Sequence, residues 1–152
     1  MAKFGQKSES LLAHLDEGLV AVNRKAIEVI DYSIIYTFRG QKLQDELFAK
    51  KVSKLKFPNS KHNSYPAKAF DFGPYPILWP QEDELRKGIA ENDSVLIRKY
   101  MKATSRFYLV GGVILDAANS LGVSIRWGAD WDGDGDIMDQ TFDDLGHIEL
   151  RY

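Results

Sequence analysis

The residues able to do chemistry are few and grouped. The chain of 152 residues holds only three histidines, His14, His62 and His147, and no cysteine. Neutral imidazole is the commonest metal ligand, and thiolate ligands or a cysteine nucleophile are excluded outright. His62 and His147 both sit beside polar loops, and each has aspartate nearby: Asp71 nine positions after His62, Asp144 three before His147. A hydrolytic metal centre commonly takes three protein ligands and leaves a position for water. His62, Asp71 and His147 would meet that requirement. Ala69, Phe70 and Phe72 around Asp71 imply a partly buried carboxylate, which needs a cation or hydrogen bonds to stay ionised. Asp144, in a turn before His147, is a carboxylate near such a centre without being an obvious ligand, and a general base must reach the metal-bound water by a hydrogen bond. Taken alone, these residue types also fit histidines with purely structural roles.

A second group is acidic. In Asp130-Trp131-Asp132-Gly133-Asp134-Gly135-Asp136, carboxylates fall at positions one, three, five and seven, with glycine at six. That spacing copies the start of a calcium loop. Position twelve is Thr141 rather than glutamate, leaving Asp139 or Asp143 as substitutes. The competing reading is an exposed Asp-Gly turn.

The elements that must position these groups follow from periodicity. Leu11, Leu12, Leu15, Leu19, Val22, Ala26, Ile27 and Ile30 predict a helix over residues 8–30, capped by Ser8 or Ser10. Residues 31–38 read as a strand and 41–50 as a short helix. All five prolines lie between 58 and 80, a stretch of loops and short strands through which Tyr65-Pro66 doubles the chain back and lets Asp71 approach His62. Residues 81–90 are a polar helix or turn. Residues 94–121 are strongly helical, ending at Gly122, with Gly111-Gly112 allowing close packing or dividing the helix. Residues 123–127 and 147–150 are strands around the acidic loop. The expectation is one α+β domain spanning 1–152, helices packed on a small, mainly antiparallel sheet that carries the metal site.

Composition narrows the function classes. Twenty Lys and Arg against 22 Asp and Glu leave a net charge of −2, which argues against nucleic-acid binding. No stretch is apolar enough to span a bilayer, and no apolar run follows the first basic residues, so neither membrane insertion nor a secretory signal peptide is expected. A soluble monomer, folded in a cytoplasm, is the expectation.

At Ser60-Lys61-His62 with Ala67-Lys68-Ala69-Phe70-Asp71, and at Asp144-Leu145-Gly146-His147-Ile148-Glu149-Leu150, the chain resembles a known family. This is the family of zinc D-alanyl-D-alanine carboxypeptidases and L-alanyl-D-glutamate endopeptidases, in particular its phage endolysins. Phe38-Arg39 with Gln44 and Leu47-Phe48, and Arg126-Trp127-Gly128-Ala129-Asp130-Trp131, agree with two further blocks, so the resemblance covers roughly residues 8–152 in order. Two departures stand: the His62–Asp71 spacing is two residues longer than the simplest family motif, and Ala67 replaces the usual glycine. The extra residues are placed in the Tyr65-Pro66 loop.

The resemblance implies a Zn²⁺ peptidase with ligands His62, Asp71 and His147, and Asp144 as base. It implies cleavage of the L-alanyl-D-glutamate bond in peptidoglycan stem peptides and lysis of the bacterial wall, after synthesis in the host cytoplasm. Arg39 is then the candidate for gripping a substrate carboxylate, Ser60 for orienting site or substrate, and Glu149, two residues along the strand from His147, for orienting that ligand. Trp131 lines the cleft or joins the core. Ca²⁺ at Asp130, Asp132, Asp134 and Asp136 would order the segment leading to Asp144 and His147. The alternatives are a D-alanyl-D-alanine carboxypeptidase and a non-catalytic metal- or wall-binding module on the same fold.

Overall fold

Four short strands and five helices build the chain, and strand alternation decides which residues reach the site. The computed structural model describes residues 1–152. In chain order the elements are α1 (Gln6–Leu12), α2 (Glu17–Ala26), β1 (Tyr32–Tyr36), α3 (Gln41–Ala49), β2 (Ala69–Pro74), α4 (Glu82–Glu91), α5 (Ser94–Leu121), β3 (Ile125–Trp127) and β4 (His147–Leu150). A 3₁₀ turn at Lys61–Asn63 precedes β2. The strands form one antiparallel sheet in the order β1-β2-β4-β3. This is the α+β architecture expected from the sequence.

Successive side chains on a strand point to opposite faces. In β2, Phe70 and Phe72 are fully buried and belong to the hydrophobic core, and Asp71 between them faces the other way. In β4, Ile148 and Leu150 enter the same core, which places His147 and Glu149 beside Asp71. Burying each of these large apolar side chains contributes roughly 1.5–3 kcal/mol. The sheet register is therefore held by its apolar face, because a slip of one residue would expose the core set.

Behind the sheet lies α5, with Phe107, Val110, Ile114, Ala117 and Ala118 buried. Phe107 meets Phe72 with ring centroids 5.9 Å apart. Gly111-Gly112 does not divide the helix. A Cβ on Gly111 would lie 2.5 Å from the Trp127 ring, so glycine lets the indole lie directly on the helix backbone.

The helix predicted over residues 8–30 is two helices. Between them, Leu15 bridges to Ala67: Ala67 N–H donates to the His14 carbonyl at 2.8 Å, and Asp16 N–H to the Ala67 carbonyl at 3.0 Å. Asp16 then caps α2 by accepting from Gly18 N–H at 2.9 Å. These tertiary and capping bonds replace the intrahelical ones that continuation would have made. Neither Ser8 nor Ser10 caps α1. Gly5 occupies that position, while the buried Ser8 hydroxyl accepts from Ile34 N–H at 3.1 Å and ties α1 to β1. The strand expected at 123–127 shortens to Ile125–Trp127, and Val123 N–H instead donates to the Ala118 carbonyl at 3.0 Å, closing the end of α5.

Candidate metal centre and cleft

Sheet register brings the candidate ligands together. Asp71 pairs directly with His147 across β2 and β4, Ala69 with Glu149, and Arg126 of β3 with Glu149. His62 arrives from outside the sheet on the 3₁₀ turn. Ser60 caps that turn, its hydroxyl accepting from His62 N–H at 3.3 Å, and Asn63 reciprocates by accepting from Ser60 N–H at 3.0 Å. The His62 carbonyl accepts from Arg39 N–H at 2.8 Å, which links the turn to the segment following β1.

Three donor atoms converge. His62 Nε2 lies 3.2 Å from Asp71 Oδ1 and 3.3 Å from His147 Nδ1, and His147 Nδ1 lies 3.0 Å from the same oxygen. His62 is buried, His147 is 8% exposed, and the Asp71 side chain is 16% exposed. The far nitrogen of each ring is already engaged. His62 Nδ1–H donates to the Thr37 carbonyl at 2.6 Å, and His147 Nε2–H to Glu149 Oε2 at 3.0 Å. Such partners set each tautomer and leave the inward nitrogen as the atom that could bind a metal.

The donor set fits a divalent cation. A tetrahedral zinc ion with bonds of ~2.0–2.1 Å separates its ligand atoms by about 3.3 Å, close to the triangle found here. Two imidazole nitrogens and a carboxylate oxygen packed this closely need positive charge between them. Without metal, a proton on His147 supplies it: burial opposes that charge, but hydrogen bonds to Asp71 and Glu149 prevail and hold the imidazole pKa at about 9. Burial likewise opposes ionisation of Asp71, and the attraction of His62 and His147 overrides it, keeping the carboxyl far below its ordinary range. Glu149, 7% exposed, is also lowered: burial works against it, and bonds to His147 and Arg126 outweigh that.

Arg39 and Arg126 flank this centre, each paired with a carboxylate. Arg39 Nη2 donates to Asp71 Oδ2, which leaves Oδ1 turned toward the histidines. Arg126 Nη2 donates to Glu149 Oε1 at 2.5 Å, and its guanidinium lies 5.3 Å from the Trp131 ring centre. Trp131 in turn lies against His147, centroids 5.6 Å apart, and stacks on Phe142 at 6.2 Å.

Asp144 lines the same cleft as the three candidate ligands, a cavity of about 520 Å³ also bordered by Arg39, Ser60, Trp131 and Glu149. It remains accessible to solvent, yet neighbouring atoms crowd its carboxyl. That burial raises its pKa, with Asp71 adding to the rise and His147 and Arg39 opposing it. Its backbone is fixed by Asp144 N–H donating to the Gly128 carbonyl at 2.8 Å and by His147 N–H donating to the Asp144 carbonyl at 2.9 Å. The approach depends on glycine, since a Cβ on Gly128 would stand 2.2 Å from the Asp144 carbonyl oxygen.

The acidic loop brings three of its four aspartates together. Asp130, Asp132 and Asp134 place carboxylate oxygens within 4.8 Å of one another, whereas Asp136 is not in that group and accepts from Met138 N–H at 2.8 Å. Asp130 accepts from Gly133 N–H at 2.8 Å and Gly135 N–H at 3.0 Å. The remaining histidine, His14, is exposed and lies 3.3 Å from the Tyr65 hydroxyl, away from both groups.

Sequence reasoning missed two supports of the centre. The Thr37 carbonyl is a backbone group and leaves no side-chain signal. Arg126 was visible as a residue two positions before Gly128, but only strand pairing reveals Glu149 opposite it.

A buried His-Asp-His set opening on a cleft, beside an accessible carboxylate, has the parts of a single-metal hydrolytic centre. The family model described as phage L-alanyl-D-glutamate peptidase matches residues 97–151. The L-alanyl-D-glutamate peptidase of Escherichia phage T5 is 32% identical, over 97% of this chain and 97% of its own. The crystal structure of the Serratia marcescens L-Ala D-Glu endopeptidase ChiX shares the fold, with a TM-score of 0.66 at 19% identity over 98% of this chain and 90% of that one. The chain belongs to the phage L-alanyl-D-glutamate peptidase family.

Proposed function

We propose that the protein is a zinc endopeptidase that hydrolyses the L-alanyl-D-glutamate bond of peptidoglycan stem peptides and so lyses the bacterial wall. The observation that carries the reading is the convergence of His62 Nε2, Asp71 Oδ1 and His147 Nδ1 at 3.0–3.3 Å beside an accessible Asp144, in a chain 32% identical to a peptidase of that name. The relatives' names favour the endopeptidase over the D-alanyl-D-alanine carboxypeptidase. The presence of Asp144 argues against a non-catalytic module.

When bound, zinc supplies Lewis acidity that makes water nucleophilic near neutral pH and polarises the scissile carbonyl. His62, Asp71 and His147 hold it, with Glu149 orienting His147 and Arg39 orienting Asp71. Asp144 takes a proton from the attacking water as the carbon–oxygen bond forms. It delivers that proton to the departing nitrogen as the carbon–nitrogen bond breaks. Its crowded setting, which raises its proton affinity, suits a group that must bind and release a proton in one cycle. Arg39, which lines the cleft, is also the residue to grip a substrate carboxylate, and Ser60 keeps His62 in place.

Asp130, Asp132 and Asp134 are assigned to Ca²⁺, with Asp136 as a further ligand only if its side chain turns inward. No helix is long and apolar enough to cross a membrane. The role that accompanies this reading is that of an endolysin: a monomer made in the host cytoplasm that acts on the wall once the membrane is opened.

The test is Asp144→Asn in protein with its zinc content measured. Turbidity loss on exposed cell walls should fall by about 10²–10⁴-fold with zinc content unchanged. Full activity would remove Asp144 as the base. Release of terminal D-alanine rather than an L-Ala/D-Glu cut would make the protein a carboxypeptidase.

A further inference from the structure

Four cationic side chains line the cleft: Arg39, Lys54, Lys61 and Arg126. Three have oxygen partners. Arg39 is paired with Asp71, Arg126 with Glu149, and Lys61 with the Tyr152 backbone carbonyl. Lys54 has no carboxylate. Its ammonium rests on the face of Phe142, 3.4 Å from the ring centre.

This placement is built from both sides. The buried Gln44 amide of α3 donates to Ser53 Oγ at 2.8 Å and to the Leu55 carbonyl at 2.6 Å, gripping the residues that flank Lys54. Opposite, the Trp131 indole N–H donates to the Phe142 carbonyl at 2.8 Å, and the two rings stack. Trp131 lies against the ligand His147. A run of rings therefore leads from the metal ligands to the ammonium of Lys54 across the cleft.

The substrate chemistry calls for such a cation. Glutamate bonded to alanine through its nitrogen keeps two carboxyl groups, and the peptide can continue through only one. A free carboxylate therefore stands on the leaving side of the scissile bond. We propose that Lys54 is the specificity residue that binds this carboxylate, an inference that rests on the peptidase reading above. The aromatic face holds the ammonium less strongly than a carboxylate does, so Lys54 exchanges one for the other when substrate enters. Phe142 keeps the side chain extended over the cleft before that exchange.

The experiment compares two stem peptides on zinc-loaded protein: one with the glutamyl carboxylate free, the other with it converted to a primary carboxamide. The wild-type chain should favour the carboxylate by about tenfold or more in kcat/KM, as expected for one charge-assisted bond. Lys54→Met should bring that ratio toward unity, mainly through KM on the carboxylate peptide. Lys54→Arg should retain the preference and Lys54→Glu reverse it. Lys54 is exposed, so thermal unfolding of the variants should match wild type. A Lys54→Met protein that keeps the wild-type ratio overturns the assignment and leaves the peptidase standing. A wild-type protein that cleaves neither peptide removes the peptidase reading and the assignment with it.

Discussion

Replacing Glu149 with Gln tests how the metal centre is tuned. Glu149 is 7% exposed and accepts from two donors, His147 Nε2 at 3.0 Å and Arg126 Nη2 at 2.5 Å. A Gln amide can accept on its oxygen only, so one of the two N–H donors would face an NH₂ group. Two consequences oppose each other. Loss of the orienting carboxylate should weaken zinc binding by about 10–100-fold. Loss of its charge should also lower the His147 pKa, which makes the proton easier to displace. In the wild-type chain that pKa is about 9, so at pH 7 the proton holds its place by 9 − 7, or about two units. That is roughly 100-fold, or about 3 kcal/mol, against the metal. Zinc affinity of wild type, measured against a chromophoric chelator in zinc-buffered solution, should therefore rise about tenfold per pH unit from 7 and level off near pH 9. Glu149→Gln should level off at lower pH and at a plateau 10–100-fold weaker, so the two curves lie closest near neutrality. Identical slopes and plateaus would show that Glu149 does not orient the ligand. A wild-type affinity independent of pH between 7 and 9 would remove His147 Nδ1 as a ligand atom.

Other outcomes follow from the same geometry. His147 has a raised pKa, so its contribution to folding in the metal-free chain is complete below its ordinary 6.5 and disappears as pH rises through about 9. Asp71 and Glu149 are lowered, so theirs is complete above their ordinary 3.8 and 4.5 and disappears in acid. The Tm of chelator-treated protein should accordingly be highest between about pH 4.5 and 6.5 and decline toward pH 9; a Tm that climbs across that alkaline range contradicts the assignment. Gly128→Ala should destabilise by about 1–3 kcal/mol in urea unfolding, because its Cβ overlaps the Asp144 carbonyl, and should lower wall hydrolysis by displacing Asp144; unchanged stability and activity would count against the close approach. Calcium chelation with zinc held constant should lower both the Tm and the lytic rate, since the acidic loop leads directly into Asp144 and His147. If neither changes, the calcium assignment fails.

Much of this protein is written in residue type and order. The scarcity of histidine, the absence of cysteine and the apolar neighbours of Asp71 make candidates of the same three side chains that converge in space. The apolar alternation in β4 and the long α5 helix are equally legible, because local periodicity reports which face is buried. Helix continuity at residues 13–16 was not: the bonds that tie His14 and Asp16 to Ala67 join segments some fifty positions apart, and no local pattern encodes them. The same holds for the partners of the ligands. Arg39 carries the identical side chain whether it meets a substrate or Asp71, and Arg126 gives no hint of Glu149 until β3 and β4 lie in register. Sequence by itself determined which chemistry was available. Tertiary structure decided which charges neutralise one another and which, like Lys54, remain unpaired, because pairing depends on distances that only the packed chain sets.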